Sequence, residues 1–129
     1  MQTVAGSYIN SNIIELLFKK DEKYYTSMND EIHELANILP DTFKHLVFIP
    51  GNKLVQTIET ADADKVLTLD GSIKYLEREK DVTYFINIKN IALFEKLKEN
   101  VVHIWTIHDN YLFEILPENM NKFESRLVY

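Results

Sequence analysis

The chain has 129 residues, 46% hydrophobic and 26% charged, with a net charge of −6 and no cysteine. That is the size and texture of one globular domain, 1–129, able to bury about two-thirds of its unfolded surface. The acidic balance argues against direct nucleic-acid binding, since Arg78 and Arg126 are the only arginines and clustered Lys/Arg is what displaces counterions from phosphate; the missing cysteines exclude a disulfide framework and thiolate metal sites.

No run approaches the roughly 18 apolar residues of a membrane span. The opening MQTVAGSYINS lacks the basic and long apolar regions of a signal peptide. The expectation is a soluble, cytoplasmic domain with no membrane partner.

Taken in order, Ser11-Asn12 precedes Ile13, Ile14, Leu17 and Phe18 at helical spacing, with Glu15 placed as a capping-box acid. This predicts a helix over 12–20. Asn29 or Asp30 caps a second helix, over 29–39, whose first turn is acidic as the helix dipole favours. Its apolar stripe is Ile32, Leu35, Ala36 and Leu39, at i, i+3, i+4 and i+7. Pro40 ends it. Residues 41–49 read two ways. Phe43, Leu46 and Val47 have helical spacing, whereas Leu46–Ile49 is an apolar run of strand length closed by Pro50-Gly51. Both readings stay open from the residues alone, and Leu39, Phe43 and Leu46 are expected to be buried together against a sheet.

Past Gly51 the pattern turns to strands, with Leu54, Gln56 and Ile58 alternating with Val55, Thr57 and Glu59. Val66–Leu69 and Ile73–Leu76 flank Asp70-Gly71, a hairpin signal. Tyr84, Ile86 and Ile88 share one strand face. Asn90 caps a third helix bearing Ile91, Leu93, Phe94 and Leu97. A second hairpin turns at Asp109-Asn110, and Pro117 opens a last helix with Met120, Phe123 and Leu127. The fold class expected is α+β, a largely antiparallel β-sheet with flanking helices.

The spacing of Leu39, Pro40, Phe43 and Leu46, with Ile32 and Leu35 upstream and Gly51-Asn52 downstream, resembles the SUKH superfamily. A second echo is Asn90–Leu97, similar to a Phe-containing helix late in such domains. The Gly-Asn order reverses the usual Asn-Gly turn. The resemblance implies an immunity protein that neutralises a bacterial toxin, a nuclease or deaminase, by occlusion.

Candidate chemistry is sparse. His33-Glu34 opens an H-E-x-x-H-like string, but position 37 is Asn, so the second zinc ligand is missing. His103 and His108 point to opposite faces of a regular strand. His108-Asp109 is the best acid–base pair, with no nucleophile set beside it. Glu59, Asp62 and Asp64 lack the spacing and glycine of a calcium loop, and no phosphate-binding glycine motif occurs. No catalytic residue, metal or cofactor is therefore expected. What remains is a binding surface. Acids gather at three predicted turns: Glu59, Asp62 and Asp64; Glu77, Glu79 and Asp81; Asp109 and Glu114. Together with Tyr75 and Tyr111 they suit a rim that attracts a basic protein partner. Asp62, Asp64, Tyr75, Glu77, Glu79, Asp109 and Tyr111 are the residues expected to carry it. The alternatives are a structural or regulatory interaction module, and a small hydrolase using His108 and Asp109.

Overall fold

The computed structural model describes residues 1–39, 48–68 and 70–127. Among these residues ten strands make one antiparallel sheet: β1 (Leu16–Lys20), β2 (Lys23–Met28), β3 (Glu31–Leu35), β4 (Phe48–Thr57), β5 (Asp64–Leu67), β6 (Ile73–Arg78), β7 (Thr83–Asn87), β8 (Ile91–Lys96), β9 (Val101–Thr106) and β10 (Asn110–Ile115). Among the described residues a single α-helix, α1 (Pro117–Leu127), accompanies it. The main path is β3-β2-β1-β7-β4-β10-β9-β8, and β6 with β5 branches from β4.

The helices expected over 12–20, over 29–39 and after Asn90 are thus corrected and the last one holds, while the helical reading of 41–47 lies outside the described residues. Residues 29–39 hold β3, not a helix, because Asn29 and Asp30 take left-handed φ values of 52° and 64°. Two consecutive left-handed residues make the tight turn whose twist matches a two-residue hairpin. Asp21 and Glu22, at 53° and 64°, do the same between β1 and β2, so the helix expected over 12–20 is replaced by a 3₁₀ turn at Ser11–Ile13 and by β1. Of the acids read as a dipole-favoured first turn, Asp30 is a turn residue and Glu31 opens β3. The supposed stripe dissolves, since Leu35 is buried while Ile32 and Leu39 are exposed. Leu39 therefore does not pack as expected, and Phe43 and Leu46 lie outside the described residues.

The third expected helix is β8, and its false period has a local cause. The register with β9 shifts between Ile91 and Leu93. One extra residue at this bulge brings Ile91 and Phe94 to the same cluster, so strand residues acquire the i, i+3 spacing of a helix.

Three expectations hold. The hairpin at Asp70-Gly71 pairs Asp64–Leu67 with Ile73–Leu76. The last hairpin pairs Asn110–Glu114 with Val101–Trp105. Tyr84 and Ile86 share the buried face of β7, while Ile88 lies just past the strand in a 3₁₀ turn and packs in the same cluster. Gly71, at φ 85°, closes a turn in which Thr68 N–H donates to Ser72 O and Gly71 N–H to Thr68 O. Thr3–Ser7 repeats this arrangement around Gly6, at φ 98°. Both segments read Thr-x-x-Gly-Ser.

The core explains the curl of the sheet. Tyr84, Ile86, Ile49, Val102, Ile104, Phe113 and Ile115 converge on Met120 and Phe123 of α1. Phe94 meets Phe123 edge-on, with ring centroids 5.1 Å apart. Strands β1, β4, β7, β8, β9 and β10 thus border one cluster, with α1 as its plug. The start of β8 is tied to the start of β1 by Asn90 Nδ2, which donates to Asn12 O and Ile14 O. On the other face Ile14, Leu17, Leu35 and Phe48 form a second cluster. Gly51 lies where β4 crosses β10. A Cβ there would sit 2.3 Å from Phe113 Cε1 and 2.4 Å from the Glu114 carbonyl oxygen, so only glycine fits.

Candidate interaction face

β4 changes partners along its length. Phe48–Gly51 pairs with β7, and Leu54–Thr57 pairs with β6 on the same edge. On its other edge, pairing with β10 stops at Leu54↔Leu112. Beyond that point β4 continues with β6 and β5 as one wing, and β10 continues with β9 and β8 as another. The wings end in the connection 58–63 and the turn Thr106–Asn110, both at the same end of the sheet.

The residues that crown this end are apolar and exposed. Ile58 is 77% exposed and Ile107 82%, and Val55 is exposed below them on β4. Glu59, Asp62 and Asp109 are exposed beside these tips. Glu77 stands opposite Val55, and Tyr75 opposite Thr57 and Lys65. Of the seven residues expected to bind, Asp62, Asp109, Glu77 and Tyr75 therefore belong to this end. Asp64 belongs to its margin: it is exposed opposite Leu76, and its charge supports the protonated form of Arg78.

Tyr111 and Glu79 have internal roles. The Tyr111 hydroxyl donates to Glu15 Oε2 at 2.9 Å. The Tyr84 hydroxyl donates to Glu79 Oε1 at 2.8 Å. Burial, then these carboxylates, push both phenols well above the usual tyrosine range. Lys53 Nζ lies 5.8 and 6.0 Å from the two ring centres, within cation–π reach. Glu15 Oε1 is buried without a hydrogen-bond partner, so Tyr111 is what compensates that carboxylate. Half-buried and already bonded, Tyr111 is a fixture of the wing and not a free anchor.

Glu114 is not a rim acid. Its side chain is 10% exposed, and it accepts from Arg78 Nε at 2.6 Å and Nη2 at 2.8 Å. Asn52 Nδ2 adds a third donor at 3.1 Å. The guanidinium is the main reason that the Glu114 carboxyl stays below its ordinary value of 4.5, and the same bonds raise Arg78. Because Arg78 is on β6 and Glu114 on β10, the pair clamps the two wings across β4. Sequence reasoning missed this clamp. The available signal was a glutamate inside the apolar run Phe113-Glu114-Ile115 in a chain with two arginines, since a buried carboxylate requires a cation or several donors.

The histidines serve local structure. His103 stacks on Trp105 at 3.7 Å between ring centroids and bonds Asn110 Oδ1 through Nε2 at 3.0 Å. In the turn, Thr106 Oγ1 accepts the N–H groups of His108 and Asp109. Asp109 Oδ1 accepts the N–H of Asn110, so its carboxylate is turned to the backbone. His33 lies in β3, 3.8 Å from Glu31. Among the described residues no group of three His, Cys, Asp or Glu is placed to hold a metal. An open cleft of about 550 Å³ at the β6–β7 turn is lined by Arg78, Lys80, Glu79 and Asp81 among others. Its two cations face two anions, so it selects neither sign.

Comparison with protein-family models, curated proteins and solved structures finds no match to this chain. Among the described residues no helix is long and apolar enough to cross a membrane.

Proposed function

We propose that this chain is a non-catalytic binding protein whose split sheet end docks a basic protein partner. One observation carries this: Ile58 and Ile107, each more than three-quarters exposed, crown one end of the sheet beside Glu59, Asp62 and Asp109. Exposed aliphatic tips in an acidic setting suit a partner with an apolar centre and a basic surround. The carboxylates speed encounter and the apolar contacts slow release. In its narrower form the partner is a toxin domain whose basic active face is occluded, with carboxylates standing where substrate phosphates would bind. The SUKH resemblance implies this form. Of the residues that carry it, Ile32 and Leu35 lie in β3 and Ile91–Lys96 is β8, while Pro40, Phe43 and Leu46 lie outside the described residues, so charge complementarity is what supports the narrower form.

The test is association kinetics with the product of the neighbouring gene. The on-rate should fall several-fold from low to physiological ionic strength, as the Debye length shortens to about 8 Å. Asp62→Lys with Asp109→Lys should slow it further. Ile58→Asp with Ile107→Asp should raise the off-rate about tenfold or more, as expected for central apolar contacts. A complex indifferent to salt and to all four changes would refute the reading.

A further inference from the structure

The three edges of the branched sheet are treated differently. The outer edge of β3 is covered by the chain itself: Val4 N–H donates to Glu34 O, and Ala36 N–H to Gln2 O, both at 2.9 Å. The edge strand β8 carries the bulge at Ile91/Leu93, a device that spoils edge pairing. β5 has neither. It pairs with β6 over four residues in unbroken register, and among the described residues nothing pairs with its other side.

The polarity of that free side follows from one bond. Glu79 N–H donates to Lys53 O at 3.0 Å, so Glu79, Glu77 and Tyr75 turn their backbone groups toward β4. The alternation of an antiparallel ladder then turns Leu76 and Lys74 toward β5, where they meet Asp64 and Val66. Lys65 and Leu67 consequently direct their N–H and C=O groups outward, away from the sheet. Leu67 and its cross-strand neighbour Ile73 are both exposed, an apolar pair beside the open edge. The acids Asp62 and Asp64 lie at one end of the edge and Asp70 at the other.

We infer that the free edge of β5 takes an extended segment of the partner as an added strand, one with apolar residues in its middle and a basic residue toward each end. Backbone bonds to Lys65 and Leu67 supply the pairing. Leu67 and Ile73 receive the alternate apolar side chains, and the bracketing aspartates select the terminal cations. This specifies how the basic partner proposed above is held, and it rests on that reading.

The probe is a synthetic peptide, Lys-Thr-Val-Thr-Val-Thr-Lys, titrated into the isotopically labelled full chain and followed by NMR. Shifts centred on the amides of Lys65 and Leu67, with slowed hydrogen exchange at both, are the expected result. Leu67→Pro removes one outward N–H and leaves the β5–β6 ladder intact, as proline is tolerated on the solvent side of an edge strand. It should weaken peptide binding at least about tenfold, the equivalent of roughly 1.4 kcal/mol. Should that variant unfold, Asp62→Lys with Asp64→Lys, both exposed at one end of the edge, gives the second reading, weakening the same peptide while the spectrum stays native. No shifts at β5, shifts centred on β8 instead, or undiminished affinity in a folded Leu67→Pro chain would each overturn the inference. The partner kinetics separate the two proposals: salt-dependent association that survives in Leu67→Pro removes the added strand but keeps the basic partner.

Discussion

Arg78→Ala is the most informative single change, because it separates a buried carboxylate from its cation without cutting the backbone. Glu114 is 10% exposed and Arg78 60%, so the two halves of the pair are unequal. Removing the exposed half leaves Glu114 with one donor, Asn52 at 3.1 Å, inside a site that water reaches poorly. Breaking a fully buried pair costs about 3–5 kcal/mol, and an exposed one about 0–1 kcal/mol. With one partner buried and the other screened, about 2–3 kcal/mol is expected at neutral pH. Urea titration of both proteins measures it directly, as a lower midpoint at unchanged slope.

The pH dependence gives a second, independent check. In the parent the folded Glu114 carboxyl lies below its ordinary value of 4.5. The pair's stabilisation is therefore complete above that value and fades as pH falls through the lower folded one. In Arg78→Ala, desolvation outweighs the single remaining donor, so the carboxyl should rise above 4.5 and stability should recover as acid protonates it. The difference between the two proteins must then shrink on acidification. Arg78→Met combined with Glu114→Leu should restore most of the neutral-pH stability, since an apolar replacement removes the uncompensated charge. A loss below about 0.5 kcal/mol, flat with pH, would show the pair to be an ordinary surface contact, and the clamp between the wings would fall with it.

Gly51→Ala forces a methyl group within 2.4 Å of the Glu114 carbonyl oxygen, which β10 cannot yield without losing its register. A loss of about 3 kcal/mol by urea titration is expected, at the upper end for an overpacked core. Phe123→Ala empties the centre of the cluster beneath α1 and should cost about 3–5 kcal/mol; a loss near 1 kcal/mol would mean that α1 is a loose cover and the sheet holds its own core.

Most of the C-terminal half was legible in the sequence. Strands there are bounded by Asp70-Gly71 and Asp109-Asn110, and turn chemistry of that kind is local. The N-terminal half and the stretch after Asn90 were not, for two physical reasons. Asp-Glu and Asn-Asp turns use left-handed residues without glycine, so Asp21-Glu22 and Asn29-Asp30 resemble charged helix starts more than hairpins. Ile14, in extended chain just past a 3₁₀ turn, shares one cluster with Leu17 of β1, and Ile91 and Phe94 share another across a bulge. In each case an irregularity produced helical spacing from extended chain. The candidate face was half legible. Asp62, Glu77 and Asp109 could be picked by charge, but which acids are free depends on partners far along the chain, as with Glu114 and Arg78, 36 residues apart.

That dependence ties the stability of this fold to the shape of its candidate face. The sheet branches because β4 exchanges β10 for continued pairing with β6 after Leu54. A branch of this kind has no ladder across its fork, so another interaction must fix the angle between the wings. Arg78 and Glu114 lie one on each side of the fork, joined by two short bonds, and Tyr111 anchors the second wing to Glu15 at the start of β1. The two arginine bonds set how far apart Ile58 and Ile107 stand, although neither clamp residue is among the tips. The acidic character of the chain and its internal architecture are therefore not separate matters: carboxylates withdrawn from the surface, Glu114 on Arg78 and Glu15 on Tyr111, hold the wings that carry the exposed ones.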